Sequence, residues 1–324
     1  MQNKVVILGT GGTIAGVAAD AGNELRYRSA SLGVEQLVAA VPELRSVPLE
    51  VEQLAQLDSK DMTHAIWQTL AQRAEQHLRR ADVSGVVITH GTDTMEETAY
   101  FLHRVLAPVR PLVLTGAMRP ANARNADGPR NLADAVALAA DEAVGAHGVL
   151  VVMQGAVHGA ADVRKLHPHR IDHAFSSGDV GPVARIDAGR VQRLRAWPAG
   201  AALGLALVEG EDDGWPAVEI VTSHAGASGM LIDALARSGA RGVVIACTGN
   251  GTLHDAIEQA LERAAWGGLR VLRATRCGEG AILDPEGTQP KWPSAGALTP
   301  AKARVELMLT LMSQRERISS PAVP

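Results

Sequence analysis

The chain alternates short apolar runs with longer segments in which apolar residues recur every three or four positions. The short runs, rich in Val, Ile and Leu, predict the strands 4–9, 48–56, 84–90, 111–116 and 148–153. The periodic segments between them predict the helices 33–40, 62–80, 94–106 and 129–142. Near-continuous apolar strands that alternate with amphipathic helices favour a parallel sheet covered on both faces. The first part of the chain is therefore predicted to be an α/β domain.

This alternation of predicted strands and helices stops after the fifth strand and resumes later in the chain. Residues 155–186 are irregular, with an alternation typical of hairpin strands, and the segment 195–215 mixes Pro, Gly and acidic residues as a linker would. The second half predicts the strands 217–222, 241–247 and 269–274 and the helices 227–237, 252–265 and 299–312. We therefore expect an N-terminal domain at 1–194, a linker at 195–215 and a smaller C-terminal α/β domain at 216–324.

Small, hydroxyl and acidic residues follow four consecutive predicted strands. They form the segments Thr10–Gly16, Asp58–Asp61, His90–Thr94 and Gly116–Pro120. Because ligands bind outside the carboxyl ends of the strands in open parallel sheets, these segments predict a site at one sheet edge. Helix capping is the alternative interpretation of the third segment, since Asp93 with Glu96, or Thr94 with Glu97, has the spacing of a capping box.

The composition argues against several other classes of function. With 31 Lys and Arg against 35 Asp and Glu, the formal net charge is −4, so the basic footprint of a nucleic-acid-binding protein is missing. No uninterrupted apolar stretch reaches the ~18 residues of a membrane span. Cys247 and Cys277 form no C-x-x-C pair and are expected to be buried thiols in a reducing compartment. Because the first residues also lack a signal-peptide pattern, we expect a cytoplasmic protein.

The glycine-rich segment GTGGTIAG does not match a nucleotide-binding loop. Ile14 stands where G-x-G-x-x-G requires its last glycine, and no Walker lysine follows. The glycines can instead let the backbone bring Thr13 close to a ligand. A threonine hydroxyl is a weak nucleophile until a base removes its proton, and the candidate helpers are Tyr27, Lys165 and Asp93.

A histidine cluster offers a different chemistry. His167, His169, Asp172 and His173 approximate an H-x-H-x-D-H metal pattern, but one extra residue separates the second His from Asp-His. Chelate geometry rarely tolerates such an insertion, which favours a solvated polar loop. A metal-dependent hydrolase that uses the three histidines is kept as an alternative.

Several blocks of the sequence resemble the bacterial-type L-asparaginase and glutaminase-asparaginase family. They are GTGGTIAG, DSKDMT, ITHGTDTMEETAYFL, LTGAMRPANARNADGPRNL, TGNGT and LTPAKAR, in the family's order over most of the chain. The resemblance implies a flavodoxin-like N-terminal domain, and a homotetramer of intimate dimers in which each C-terminal domain completes the neighbouring site. It implies hydrolysis of L-asparagine to L-aspartate and ammonia by a threonine nucleophile, with no metal or cofactor. L-glutamine is a possible second substrate, and we expect its hydrolysis to be weaker because it is longer by one methylene. A non-catalytic amino-acid sensor with the same pocket is a further alternative.

The resemblance also implies roles for individual catalytic residues. Thr13 matches the family's first catalytic threonine, and Tyr27 matches the tyrosine beside it. Thr92 matches the second threonine, and Lys165 matches the lysine near it. Asp93 matches the acid that binds the substrate α-amino group. Which threonine attacks is left open by the sequence, and we favour Thr13.

Substrate-binding residues follow from the same comparison of motifs. Ser59 matches the residue that holds the α-carboxylate, Ala117 a carbonyl contact to the side-chain amide, and Glu286 the acid that reaches the neighbouring site. Thr252 stands where many members have Asn, which changes the group beside the substrate. The loop from about Gly16 to Ser31 has little apolar content and is expected to order over the substrate.

Overall fold

The computed structural model describes residues 3–20, 26–145, 148–210 and 214–319. The chain forms two compact units, Met1–Val208 and Glu209–Pro324. In the first unit the strands are β1 (Lys4–Gly11), β2 (Val17–Ala18), β3 (Tyr27–Arg28), β4 (Leu49–Leu57), β5 (Val83–Thr89), β6 (Leu112–Thr115), β7 (Leu150–Met153), β8 (Ala156–Gly159), β9 (Arg164–Lys165), β10 (Phe175–Ser176), β11 (Ala184–Asp187) and β12 (Arg190–Arg193). The α-helices are α1 (Val34–Ala39), α2 (His64–Leu78), α3 (Met95–Val105) and α4 (Gly128–Ala140).

An eight-stranded sheet organises the first unit, in the order β12-β11-β8-β7-β6-β5-β1-β4. Strands β4, β1, β5, β6 and β7 pair in parallel, and their order along the sheet is second, first, third, fourth, fifth. That is the flavodoxin-like order, so the predicted fold class is confirmed. Strands β8, β11 and β12 continue the sheet as antiparallel hairpins, as the irregular stretch after β7 predicts.

The central strands are apolar because both of their faces are covered. β6 and β7 are buried along their whole length, and the core includes Leu132, Val136 and Ala139 of α4. Trp67 of α2 stacks on Phe101 of α3, with 4.9 Å between the ring centroids. Buried apolar area of this kind is the main contribution to the stability of such a domain.

The strand register brings the predicted polar segments to one edge. Gly9 pairs with Thr89, Thr89 pairs with Thr115, and Gly11 pairs with Leu57. The carboxyl ends of β1, β4, β5 and β6 therefore lie side by side, and the segments that follow them share one edge of the sheet.

The second unit has its own parallel sheet in the order β13 (Val218–Thr222), β14 (Gly242–Cys247) and β15 (Arg270–Thr275). Its helices are α5 (Met230–Arg237), α6 (Asp255–Trp266) and α7 (Pro300–Ser319). Cys247 is buried as predicted, and burial raises the pKa of its thiol to about 11. The prediction of a buried thiol at Cys277 is wrong: this residue follows β15 in a loop and is exposed.

The domain limits drawn from the sequence stay predictions. The boundary between the two units follows Val208, a residue within the proposed linker at 195–215. Residues 211–213 of that linker lie outside the described residues. Within the described part of the chain, no helix combines the length and apolar character needed to cross a membrane.

Candidate active site

Thr13 lies in the turn directly after β1, and its hydroxyl contacts a phenol. Thr13 Oγ1 is 2.7 Å from Tyr27 Oη. Thr13 is buried, whereas Tyr27 is 38% exposed and lines the solvent side of the pair. A group that removes a proton from a threonine must lie within hydrogen-bond distance of its hydroxyl, and this phenol does. Thr13 and Tyr27, which lie 14 residues apart in the sequence, are therefore brought together by the fold.

Tyr27 is held in a short hairpin rather than in an extended coil. β3 pairs antiparallel with β2 through Tyr27 and Ala18. The Asn122 side chain clamps this hairpin, because its Oδ1 accepts from Ala18 N and its Nδ2 donates to Ala18 O, both at 2.8 Å. The Tyr27 ring also packs closely over Gly16, where a Cβ would lie 2.8 Å from the ring. Gly22, which falls within the predicted loop from about Gly16 to Ser31, lies outside the described residues.

The Thr13 turn packs directly against the turn that follows β5. Gly12 has a φ of 83°, a conformation that favours glycine, and a Cβ at this position would collide with the backbone of Gly91. Two glycines thus permit the close approach of two backbone segments. The approach places Thr13 and Thr92, each one residue further along, in neighbouring turns at the sheet edge.

The second turn carries a threonine, a carboxylate and an ammonium group in mutual contact. Lys165 Nζ donates to Thr92 Oγ1 at 2.9 Å and to Asp93 Oδ1 at 2.6 Å. The Lys165 side chain is 16% exposed and that of Asp93 is 58% exposed, so the carboxylate faces solvent while the lysine lies beneath it. Lys165 comes from β9, and its backbone N–H donates to Glu96 Oε2 at 3.2 Å, which fixes its approach.

Ser59 is buried between this turn and the strand end of β4. Its Oγ accepts from Asp93 N at 3.2 Å, and its carbonyl accepts from Thr94 Oγ1 at 2.8 Å. A Cβ on Gly91 would lie 2.5 Å from Ser59 Oγ, so this glycine also permits the hydroxyl to approach. Ser59 therefore lies in the same cluster as Thr92 and Asp93.

Helix capping, the alternative interpretation of this turn, is wrong. Thr94 is the N-cap residue of α3, and among the described residues no side-chain hydrogen bond caps this helix start. The side chains that would cap are engaged elsewhere, Thr94 with Ser59 and Asp93 with Lys165. Contacts with residues distant in the sequence take the place of local capping hydrogen bonds.

Ala117 is fully buried in the turn after β6, and this turn is held by Asp127, the residue just before α4, and by Asn131 of α4. The Asp127 carboxylate accepts from the backbone N–H groups of Met118 and Arg119 at 3.0–3.1 Å, and Asn131 Nδ2 donates to Gly116 O at 2.9 Å. Burial raises the pKa of Asp127, and the backbone donors oppose that rise. These supporting residues were missed from the sequence, although Asp127 and Asn131 show the four-residue spacing of one helix face.

Thr252 and Glu286 belong to the second unit. Thr252 Oγ1 lies 2.7 Å from Thr248 Oγ1 and donates to Thr248 O at 3.1 Å, so this hydroxyl is engaged within its own turn. Glu286 is exposed. The segment before it is paired to Asn250, whose Nδ2 donates to Leu283 O at 2.9 Å and whose Oδ1 accepts from Leu283 N at 2.8 Å.

The histidine cluster does not form a metal site. His167 Nδ1 accepts from the backbone N–H groups of His169 and Arg170, at 3.2 and 2.9 Å, so it organises its own loop. Across the described ranges, no group of three or more His, Cys, Asp or Glu residues is placed to hold a metal ion. The metal-dependent alternative is therefore not supported.

The chain is similar to known proteins both in sequence and in structure. The family model "Asparaginase, N-terminal" matches residues 4–198, and "Glutaminase/Asparaginase C-terminal domain" matches residues 217–319. L-asparaginase 2 of Escherichia coli is 39% identical, covering 97% of this chain and 90% of the relative. Glutaminase-asparaginase of Pseudomonas fluorescens is 35% identical over 97% of this chain and 87% of its own length. The crystal structure of a probable cytoplasmic L-asparaginase from Campylobacter jejuni matches with a TM-score of 0.88 and 36% identity, over 98% of both chains.

Proposed function

Because the chain belongs to the L-asparaginase and glutaminase-asparaginase family, we propose that it hydrolyses L-asparagine to L-aspartate and ammonia. The observation that carries the proposal is the pair of threonine clusters in adjoining turns, Thr13 with Tyr27 and Thr92 with Lys165 and Asp93. Amide hydrolysis needs an activated nucleophile, a proton for the leaving group and donors for the oxyanion, and these clusters supply each of them.

Thr13 is the proposed nucleophile. Its Oγ1 forms a bond to the amide carbon of the substrate while its proton passes to the oxygen of the Tyr27 phenol, 2.7 Å away, and the phenol gives up its own proton as a relay. Collapse of the tetrahedral intermediate breaks the carbon–nitrogen bond, and the nitrogen takes up the proton that the phenol gave up and leaves as ammonia. Water then attacks the acyl ester on Thr13, one of its protons returns to Thr13 Oγ1, and aspartate is released.

The second cluster stabilises the charge that develops during these steps. The Lys165 ammonium donates to Thr92 Oγ1, so an alkoxide forming at Thr92 would be stabilised by a charge-assisted hydrogen bond. Backbone N–H groups around Thr92, at the start of α3, are proposed to receive the oxyanion. We assign Thr92 and Lys165 to proton transfer and charge stabilisation.

The substrate is anchored by its two charged ends. Asp93, with its exposed carboxylate, is proposed to accept from the α-ammonium group with the lone pairs that Lys165 leaves available. Ser59 and neighbouring backbone N–H groups are proposed to bind the α-carboxylate. The carbonyl of Ala117 is proposed to accept from the amide nitrogen. Anchoring both ends positions the amide carbon against Thr13, which converts an encounter into a unimolecular step.

We further propose a homotetramer of intimate dimers in which Glu286 and Thr252 serve the site of the neighbouring subunit. The second unit exposes large apolar side chains that an interface would cover, among them Met230 at 69% and Leu283 at 74%. We also propose a cytoplasmic location, where the exposed Cys277 thiol stays reduced.

Asparagine should be preferred over glutamine by roughly ten-fold or more in kcat/KM, because one extra methylene misplaces the amide carbon at a cost of about 1–3 kcal/mol. The Thr252 hydroxyl is engaged with Thr248, and Thr252 has no side-chain amide to offer to a longer substrate. Steady-state ammonia release from both amides, in the presence of EDTA, measures the ratio. Thr252→Asn should raise the relative activity on glutamine, and Thr252→Ser should not.

Equal kcat/KM values on the two amides would contradict the selectivity. Tight asparagine binding without turnover would instead favour the sensor, and activity that EDTA abolishes and zinc restores would favour a metallohydrolase.

Shared sites predict complementation between inactive subunits. When Thr13→Ala subunits are mixed with Glu286→Ala subunits, part of the activity should return, because some hybrid sites combine an intact first unit with an intact second unit. A mixture of Thr13→Ala with Tyr27→Phe is the matched control, since both changes lie in the first unit and no hybrid site is intact. If subunit exchange is proven by native mass spectrometry and the first mixture stays inactive, each chain builds its own site.

A further inference from the structure

A buried chain of hydrogen bonds ends at the peptide group just before Thr92. Trp67 Nε1 donates to Thr98 Oγ1 at 2.8 Å, Thr98 Oγ1 lies 2.9 Å from His90 Nε2, and His90 Nδ1 lies 2.7 Å from Gly91 O. Trp67, Thr98 and His90 are all buried, with relative exposures of 4%, 0% and 0%. Each of these buried polar groups therefore has a hydrogen-bond partner, and together they form one series of bonds that leads to the peptide before Thr92.

The donors and acceptors fix the direction of every bond in this chain. A carbonyl oxygen only accepts, so His90 Nδ1 must carry a proton and donate to Gly91 O. Burial lowers the pKa of His90 to about 4, so the ring is neutral at neutral pH and Nε2 has a lone pair. Nε2 therefore accepts from the Thr98 hydroxyl, whose oxygen accepts in turn from the Trp67 indole. Each group donates in one direction, from Trp67 toward Gly91.

The recipient of this chain is the peptide that joins Gly91 to Thr92. A hydrogen bond to the Gly91 carbonyl draws electron density toward that oxygen and makes the Thr92 N–H of the same peptide a stronger donor. The same bond fixes the plane of the peptide, and the backbone just before this peptide is held by His90 N donating to Thr115 O at 2.8 Å and by Gly12 packing on Gly91. A fixed, polarised N–H is what an oxyanion requires.

We propose that Trp67, Thr98 and His90 act as positioning residues that orient and polarise the Thr92 N–H toward the oxyanion of the hydrolysis reaction. The inference rests on the proposed amidohydrolase function and deepens it, because it assigns a task to residues that touch neither the substrate nor Thr13. Their effect is exerted in the transition state, when the negative charge on the substrate oxygen is largest. They should therefore change kcat rather than the binding of the substrate.

Thr98→Val tests the proposal, because valine keeps the shape of threonine and removes the hydroxyl. The expected result is a fall in kcat of roughly 10- to 100-fold, as for the loss of one buried hydrogen bond that strengthens in the transition state, with KM within about three-fold. Thr98→Ser keeps the hydroxyl but loses the methyl group, and it should recover most of the loss. A purely structural role would make the serine variant at least as harmful as the valine variant.

Nitrogen-15 NMR of the wild-type His90 ring provides a second readout. The expected spectrum shows a protonated Nδ1 and an unprotonated Nε2, and the Nε2 signal should move in Thr98→Val. A proton on Nε2 would show that the hydrogen bonds do not run from Trp67 toward Gly91. Wild-type kcat in Thr98→Val, or a loss of aspartate affinity equal to the loss of kcat, would overturn the positioning role while leaving the proposed function intact. If the wild-type protein turned over neither amide, the proposed function would fail, and the catalytic role of this chain with it.

Discussion

Replacing Thr13 by Val should lower kcat for asparagine by roughly three orders of magnitude or more, as expected for loss of a nucleophile. Valine fills nearly the same volume in the turn after β1 but offers no oxygen to the amide carbon or to Tyr27. The proposed substrate anchors lie in other turns, so the affinity for aspartate should stay within about three-fold, since binding common to ground and transition states is preserved. Steady-state kinetics and calorimetric titration with aspartate measure the two effects separately.

Thr13→Ser is the matched control, because it keeps an oxygen in the same position and should retain measurable turnover. Thermal unfolding of both variants verifies that the turn remains folded. Rapid quenching of the wild-type reaction, followed by peptide mass spectrometry, locates the acyl group. An ester found on Thr92 rather than on Thr13 would reverse the assignment of the nucleophile.

Replacing Thr92 by Val is expected to have an effect of similar size. The change removes the oxygen that accepts from Lys165 at 2.9 Å and leaves the ammonium with Asp93 as its remaining partner in this cluster. Without that oxygen, the proposed route of proton transfer and charge stabilisation is lost, and kcat should fall by about three orders of magnitude. Ammonia release at saturating asparagine gives the value directly.

Two variants separate this explanation from a general disturbance of the turn. Thr92→Ser keeps the hydroxyl and should recover much of the activity. Lys165→Met, which preserves the length of the side chain and removes its charge, should mimic Thr92→Val. If Lys165→Met turned over at the wild-type rate, the ammonium would have no part in the reaction, and the role of Thr92 would need a different partner.

The sequence by itself determined the fold class and indicated that the polar segments share one edge of the sheet. The strands are short continuous apolar runs, whereas the helices repeat apolar residues about every 3.6 positions, so their alternation is readable without coordinates. The polar segments after β1, β4, β5 and β6 could be assigned to one edge because parallel strands all end on the same side of a sheet. The long blocks around Thr13 and Thr92 were specific enough to indicate the family.

The pairings within the site were decided by the tertiary structure. Lys165 lies 73 residues from Thr92 in the sequence, and Asn122 lies 104 residues from Ala18, so local spacing carries no information about either contact. The turn at 90–94 shows that local spacing can also indicate a contact that the fold does not form. Its spacing fits a capping box, yet the side chains of Asp93 and Thr94 bind Lys165 and Ser59.

The chain from Trp67 to Gly91 shows why such contacts escape a reading of the sequence. Trp67 and Thr98 stand on apolar faces of α2 and α3, where an indole and a small hydroxyl residue fit the pattern of an ordinary core. Their polar atoms meet only because the two helices pack against each other beside the carboxyl end of β5. Periodicity determines which face of a helix is buried, but the partner of each buried polar atom is set by packing between elements distant in the chain.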